Sequence, residues 1–180
     1  LAMDNAQLEL QEAEAAEERT GKTLQLLQQM LGLAAPPVRM EAYDISNTAG
    51  TDPVASMTVF RSGRPLKSAY KKYKIKTAVG GDDYGAMHEV LGRRLDRALA
   101  GDEGFLPLPD LLLIDGGAGQ TKMALEQLQA RGLDIPVYGM VKDSHHRTRA
   151  LVSADGREIG IAATPAVFAL IGRIQEETHR

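Results

Sequence analysis

At 180 residues, 43% hydrophobic and 25% charged with a net charge of −3, the chain is long enough for one domain with a real core. It has no cysteine, which excludes disulfides and thiolate metal sites and leaves oxygen and imidazole ligands, a set better suited to magnesium or manganese than to structural zinc. No apolar run approaches the ~20 residues that span a bilayer and the start lacks a signal-peptide pattern, so a soluble, cytoplasmic protein with no membrane contact is expected.

From Ala2 to about Leu31 the chain is built of Ala, Glu, Gln and Leu without proline, which predicts one long helix with Gly21 as its weak point. Leu24, Leu27 and Leu31 recur at helical spacing, and Pro36-Pro37 ends the element. Residues 1–20 hold one Arg against six acids, a net of −5, so residues 21–180 carry +2. A helical extension over residues 1–35 and one domain over 36–180 are expected. Val38–Ser46 reads as a strand, and Val54–Phe60, the turn-forming Arg61–Pro65 and Leu66–Thr77 read as a hairpin, so three antiparallel strands follow one another.

Asp82-Asp83 precede a helix over Tyr84–Ala100, marked by Met87, Val90, Leu91, Leu95 and Leu99, with an aspartate at or near its N-cap. Leu111–Ile114 is apolar without alternation and predicts a strand buried on both faces. A helix over Gln120–Ala130 and a strand over Val137–Val141 complete a βαβ crossover, so these two strands should be parallel. After the basic tract Lys142–Arg149, Ala150–Val152 and Arg157–Ile161 form a hairpin around Asp155-Gly156. Thr164-Pro165 then opens a last helix, with the Thr as N-cap, and Val167, Leu170, Ile171 and Ile174 as its buried stripe.

Asp44 closes the first strand and Asp115 closes the Leu111–Ile114 run just before Gly116-Gly117. If those strands are neighbours, two carboxylates meet and repel unless a proton or a divalent cation lies between them. Taken alone, an aspartate before Gly-Gly is equally a turn former or cap, and a helix-terminal histidine such as His179 equally serves the helix dipole. Asp83, placed just before Tyr84, reads as an N-cap. Gly116–Gln120 is not a P-loop, because the Gly-Lys-Ser/Thr ending is absent; its glycines are expected to let DNA or water approach Asp115. Arg61, Arg64, Lys67, Lys71, Lys72, Lys74 and Lys76 put seven cations and no acid into one strip, a candidate phosphate-binding face or a solvated hairpin, and Lys142 is a further phosphate candidate. His88, Asp82, Asp143, His145 and His146 have no spacing that ties them to a metal.

The element order is that of an α/β, ribonuclease-H-like fold, a mixed five-stranded sheet flanked by helices. The stretches "EAYDISNTAGTDPVASMTVF", "GRPLKSAYKKYKIKT", "GDDYGAM", "LPDLLLIDGGAGQ" and "GRIQEETHR" together resemble the catalytic endonuclease domain of the UvrC family, over nearly the whole chain. That resemblance implies a centre of Asp44, Asp115 and His179 holding Mg2+ or Mn2+, with His179 as ligand, water-positioning group or acid to the leaving 3′ oxygen, and it makes Asp83 a candidate catalytic acid as well as a cap. It implies incision of damaged double-stranded DNA on the 5′ side of a lesion in nucleotide excision repair, with Arg61, Lys67, Lys71, Lys72, Lys74, Lys76 and Lys142 on the DNA. UvrB and the UvrABC excinuclease are implied as partners through other parts of a longer protein, of which this chain is expected to be a fragment that binds DNA poorly alone. Many relatives carry lysine where this chain has Ala118. The rival readings are a catalytically inactive nucleic-acid-binding or docking module on the same fold, and a related nuclease acting on deaminated bases or RNA–DNA hybrids.

Overall fold

A computed structural model describes residues 4–47 and 52–180. Helix α1 (Asn5–Leu31) starts where the Asp4 carboxylate accepts from the Gln7 amide at 2.8 Å and stops at Gly32, whose left-handed φ of 67° suits glycine. It passes through Gly21 unbroken; the predicted start at Ala2 lies outside the described residues. Leu24, Leu27 and Leu31 are buried as their spacing predicts, whereas Leu8 and Leu10 face solvent.

Among the described residues eight strands form a single sheet: β1 (Arg39–Ser46), β2 (Val54–Arg61), β3 (Arg64–Pro65), β4 (Lys71–Lys74), β5 (Leu111–Ile114), β6 (Val137–Lys142), β7 (Thr148–Val152) and β8 (Glu158–Gly160). Their order is β3-β2-β1-β5-β6-β7-β8, with β4 also paired to β2. The expected five-stranded arrangement, β4-β2-β1-β5-β6, lies inside it. Two features enlarge it. The predicted strand Leu66–Thr77 is shortened to β4 beside Val54–Met57, because the chain makes a 3₁₀ turn at Lys67–Ala69, while the predicted turn Arg61–Pro65 itself contributes β3, which pairs with Phe60 and Arg61. The β7–β8 hairpin, in turn, joins the sheet edge antiparallel to β6.

The side chains of β5 explain its unalternating sequence, since Leu111 and Leu113 enter one core with α1 and helix α4 (Pro165–His179), while Leu112 and Ile114 enter another with helices α2 (Asp83–Leu99) and α3 (Ala118–Ala130). All four are fully buried, each worth roughly 1.5–3 kcal/mol relative to exposure. Strand β1 divides its residues likewise, Met40 and Ala42 toward α1 and α4, Tyr43 toward α2 and α3. On the second face Arg94 reaches the buried Glu41 through Nε and Nη2 at 2.9 and 2.8 Å and donates to the Phe105 carbonyl at 2.6 Å, tying α2 to β1 and to the loop before β5.

Candidate metal centre

Strands β1 and β5 are parallel neighbours with Tyr43 opposite Ile114, and the Asp115 amide donates to the Tyr43 carbonyl at 2.8 Å. The next residue on each strand is therefore an aspartate at the same end of the sheet. Alternation turns both acids toward α4, the face that Ala42 and Leu113 already occupy. Helix α4 crosses that face on Val167, Leu170, Ile171 and Ile174, and its last turn delivers His179 to the sheet end.

His179 Nδ1 lies 3.4 Å from Asp44 Oδ2 and 3.4 Å from Asp115 Oδ2, and one ligand atom from each of the three residues falls within 4.8 Å of the others. Asp115 is buried, Asp44 half-buried and His179 exposed, so the centre is a rim with a sunken carboxylate. Lys142, at the end of β6, brings Nζ to 2.6 Å from Asp115 Oδ1, a charge contact without hydrogen-bond geometry. Both Asp115 oxygens are thus buried acceptors with no hydrogen-bond partner among the described residues. Burial, then the Asp115 charge beside it, pushes the Asp44 carboxyl up to about 6 despite the lowering effect of His179 and Lys142. Buried carboxylate oxygens that accept no hydrogen bond, beside a second carboxyl driven toward its neutral form, make a setting that a cation would relieve. Two carboxylates and an imidazole suit a hard divalent cation.

Helix α4 is held by polar contacts on two sides. Thr178 donates to the Ile174 carbonyl at 2.6 Å, which uses its only hydroxyl proton, so in the 2.7 Å contact between Thr58 and Thr178 it is Thr58 that donates. One turn earlier the buried Gln175 donates to the His146 carbonyl at 2.8 Å and accepts from the Thr148 hydroxyl, fastening the β6–β7 loop. Sequence reasoning did not assign Thr58 or Thr178 a role. The available signal was a threonine at an inward-facing position of β2, between Ser56 and Phe60.

The other predicted residues are spread more widely. Asp82, not Asp83, caps α2, accepting from the Gly85 amide at 2.9 Å; Asp83 is the first helical residue. Asp83 instead accepts from Asn47 Nδ2 at 2.5 Å, three residues beyond Asp44, and lies outside the group of mutually close ligand atoms. Thr164 precedes α4 but its side chain makes no cap, Pro165 alone marking the start. Asp44, Ser56 and Lys72 form one cross-strand row, with Lys74 two residues further along β4 on the same face. Lys71 points to the opposite face, its ammonium 4.5 Å from the centre of the Phe105 ring. Arg61 pairs with Arg39 at the far end of β1, Lys67 lies in the 3₁₀ turn, and Lys76 follows β4 with its amide on Glu89. His88 contacts Gln127 and Glu126 on α3, and Asp143 accepts from the amides of His145 and Arg147 within its own loop. The glycines after Asp115 serve packing: the Gln120 amide covers Gly116 and Tyr84 covers Gly119, while Gly117 alone faces open space.

Over residues 28–180 the chain matches the family model described as the UvrC RNase H endonuclease domain. The chain belongs to this family. UvrABC system protein C of Caldanaerobacter subterraneus subsp. tengcongensis is 47% identical over 166 residues, covering 86% of this chain and 27% of that protein. The protein of the same name from Thermoanaerobacter sp. strain X514 is 50% identical over 154 residues, 79% of this chain and 25% of that protein. The chain thus spans about a quarter of the length of these curated relatives. Among solved structures, Ciona intestinalis endonuclease V in complex with an inosine-containing 23mer DNA aligns with a TM-score of 0.45 and 17% identity, over 72% of this chain and 58% of that one. As a UvrC RNase H endonuclease domain, the chain has a nuclease fold whose acidic sheet end and terminal histidine support a divalent cation. None of its described helices is long and apolar enough to cross a membrane.

Proposed function

We propose that this domain hydrolyses one phosphodiester of damaged double-stranded DNA, on the 5′ side of a lesion in nucleotide excision repair, using Mg2+ or Mn2+ held by Asp44, Asp115 and His179. The observation that carries the reading is the meeting of those three side chains at the buried carboxylate of Asp115, whose oxygens accept no hydrogen bond among the described residues. A divalent cation bound there supplies positive charge against the negative charge that builds on the phosphate oxygens during attack. Asp115, sunk in the sheet end, sets the position of the site, and Asp44 closes its outer side. His179 turns Nδ1 to both acids, where it would complete the ligand set, and this leaves Nε2–H, without a protein partner among the described residues, to hydrogen-bond a phosphate oxygen beside the cation.

Lys142 beside Asp115 and the row running from Ser56 to Lys72 and Lys74 offer cations to phosphates on either side of the reacting one. Such contacts hold the backbone without reading sequence and weaken steeply with salt. Arg61, Lys67, Lys71 and Lys76 extend this basic surface away from the centre. Asp83 acts as a support, fixing Asn47 at the end of β1. In the longer protein, in the cytoplasm, UvrB and the rest of the UvrABC excinuclease would bring the damaged duplex to this site.

The test is incision of a lesion-bearing duplex by the longer protein with Mg2+ or Mn2+. Asp44→Ala, Asp115→Ala and His179→Ala should each abolish the 5′ cut while leaving the domain folded by circular dichroism. Retention of that cut by a folded Asp115→Ala variant would remove the catalytic assignment.

A further inference from the structure

Aromatic side chains are scarce here, at 4% of residues with no tryptophan, and nearly all of them are built into the cores. Tyr84 is the exception. It is 53% exposed, the only aromatic residue among those described that is classed with the exposed side chains. It stands on the first turn of α2, directly after Asp83, and its phenol end lies in the space where a Cβ on Gly119 would sit. Gly119 belongs to the first turn of α3, four residues beyond Asp115, so its Cα is no more than about 14 Å of extended chain from that acid. The ring is therefore seated on α3 along one edge and open to solvent on the rest, at the end of the sheet that carries Asp44 and Asp115, where its neighbour Asp83 holds Asn47, and on the α2–α3 side of that end. Val79, 74% exposed, lies at the same corner, its carbonyl accepting from the Asp82 amide at 3.1 Å.

We infer that Tyr84 is a stacking platform for an unpaired nucleobase of the strand being cut, an inference that rests on the DNA-cleaving reading above. A ring held against a glycine backbone is fixed before the ligand arrives, so little side-chain freedom remains to be lost on binding. The neighbouring carboxylates of Asp82 and Asp83 repel a phosphate, so the group that docks here is the uncharged π-face of a base rather than the backbone. Stacking of that kind tolerates any base, which matches the sequence-independent phosphate contacts of the lysine row.

The experiment measures the affinity of this chain for a labelled short single-stranded oligonucleotide at low salt, and for the same strand carrying abasic sites. Tyr84→Ala should weaken binding of the base-bearing strand by about fivefold or more, Tyr84→Phe should leave it unchanged, and on the abasic strand wild type and Tyr84→Ala should bind alike. Gly119→Ala, which fits a helix but displaces the ring, should copy the Tyr84→Ala result. Because the chain has no tryptophan, Tyr84→Trp adds a single reporter whose fluorescence should be quenched by the base-bearing strand only. Unchanged affinity in a Tyr84→Ala variant that melts like wild type, or an equal loss on the abasic strand, overturns the inference. Absence of binding to either strand by wild type, or salt-sensitive binding indifferent to Tyr84, removes the platform alone; the DNA-cleaving reading falls only if a folded Asp115→Ala variant of the longer protein still makes the 5′ cut.

Discussion

The Lys142 ammonium stands 2.6 Å from Asp115 Oδ1, on a carboxylate whose side chain is 2% exposed. A fixed positive charge in that position offsets part of the repulsion between Asp44 and Asp115, and it also competes with any cation that enters. Lys142→Met should therefore tighten Mn2+ binding, by about tenfold or roughly 1.4 kcal/mol, and push the Asp44 carboxyl further up when no metal is present. The same variant should bind DNA less tightly, having lost a phosphate contact. Calorimetric titration with Mn2+ and a salt series of DNA affinities check the two effects separately.

Without metal, Asp44 costs the fold stability at neutral pH. Its carboxyl is raised from 3.8 to about 6 in the folded chain, so the folded state holds that proton more tightly than the unfolded one. The contribution to stability is complete below about pH 4 and is lost as pH rises through 6, amounting to about 2–3 kcal/mol at ~1.36 kcal/mol per unit. Asp44→Asn removes the titration, so relative to wild type it should become progressively more stable between pH 4 and 7 in the presence of a chelator. Adding Mn2+ at pH 7.5 should reverse the order, stabilising wild type and not the variant. Urea denaturation across this pH range, with and without metal, is the measurement.

How far the centre could be read from the letters differs for each of its members. Asp44 and Asp115 are visible because each follows a strand-like run and a parallel pair brings equivalent strand ends together; the register of β1 on β5 does the rest. His179 is a different case, since nothing in the spacing of a terminal helix says which strand end it will cross, and its role came from the family resemblance. The cap of α2 was ambiguous because Asp82 and Asp83 are chemically identical and only the backbone turn decides which one leaves the helix. The shortening of the third strand by a 3₁₀ turn leaves no mark in its alternating pattern, and the contact between Thr58 and Thr178 depends on a partner far along the chain, which local periodicity does not encode.

That threonine pair gives a test of how His179 is positioned. Thr178→Val keeps the shape but leaves the buried Thr58 hydroxyl without its acceptor, which should cost about 1–3 kcal/mol. Because His179 is the next residue, a small shift of the turn should lower kcat by as much as ~10²-fold, with KM little changed. Thr178→Ser should restore both. The double variant Thr58→Val with Thr178→Val should recover much of the stability, since both polar partners are then gone. Chemical denaturation and single-turnover cleavage of the four proteins separate anchoring from general stability.

The buried pair of Glu41 and Arg94 carries the strongest prediction for the fold as distinct from the chemistry. Their side chains are 0% and 1% exposed, and Tyr43 adds its hydroxyl to the same carboxylate at 2.8 Å. Desolvating both charges is costly, so the pair is not a large net source of stability; its value lies in being complete. Glu41→Leu leaves the guanidinium buried without a counter-charge and should destabilise by about 3–5 kcal/mol. Adding Arg94→Met to that variant should return part of the loss. The return falls short of full because Arg94 also donates to the carbonyls of Phe105 and Pro107, which would then be unpaired. Since α2 carries Asp83 and Tyr84 to the rim of the centre, loosening its attachment to β1 should also weaken DNA binding in any single variant that remains folded, and an unaltered affinity there would show that the rim is held by the α2–α3 contact instead.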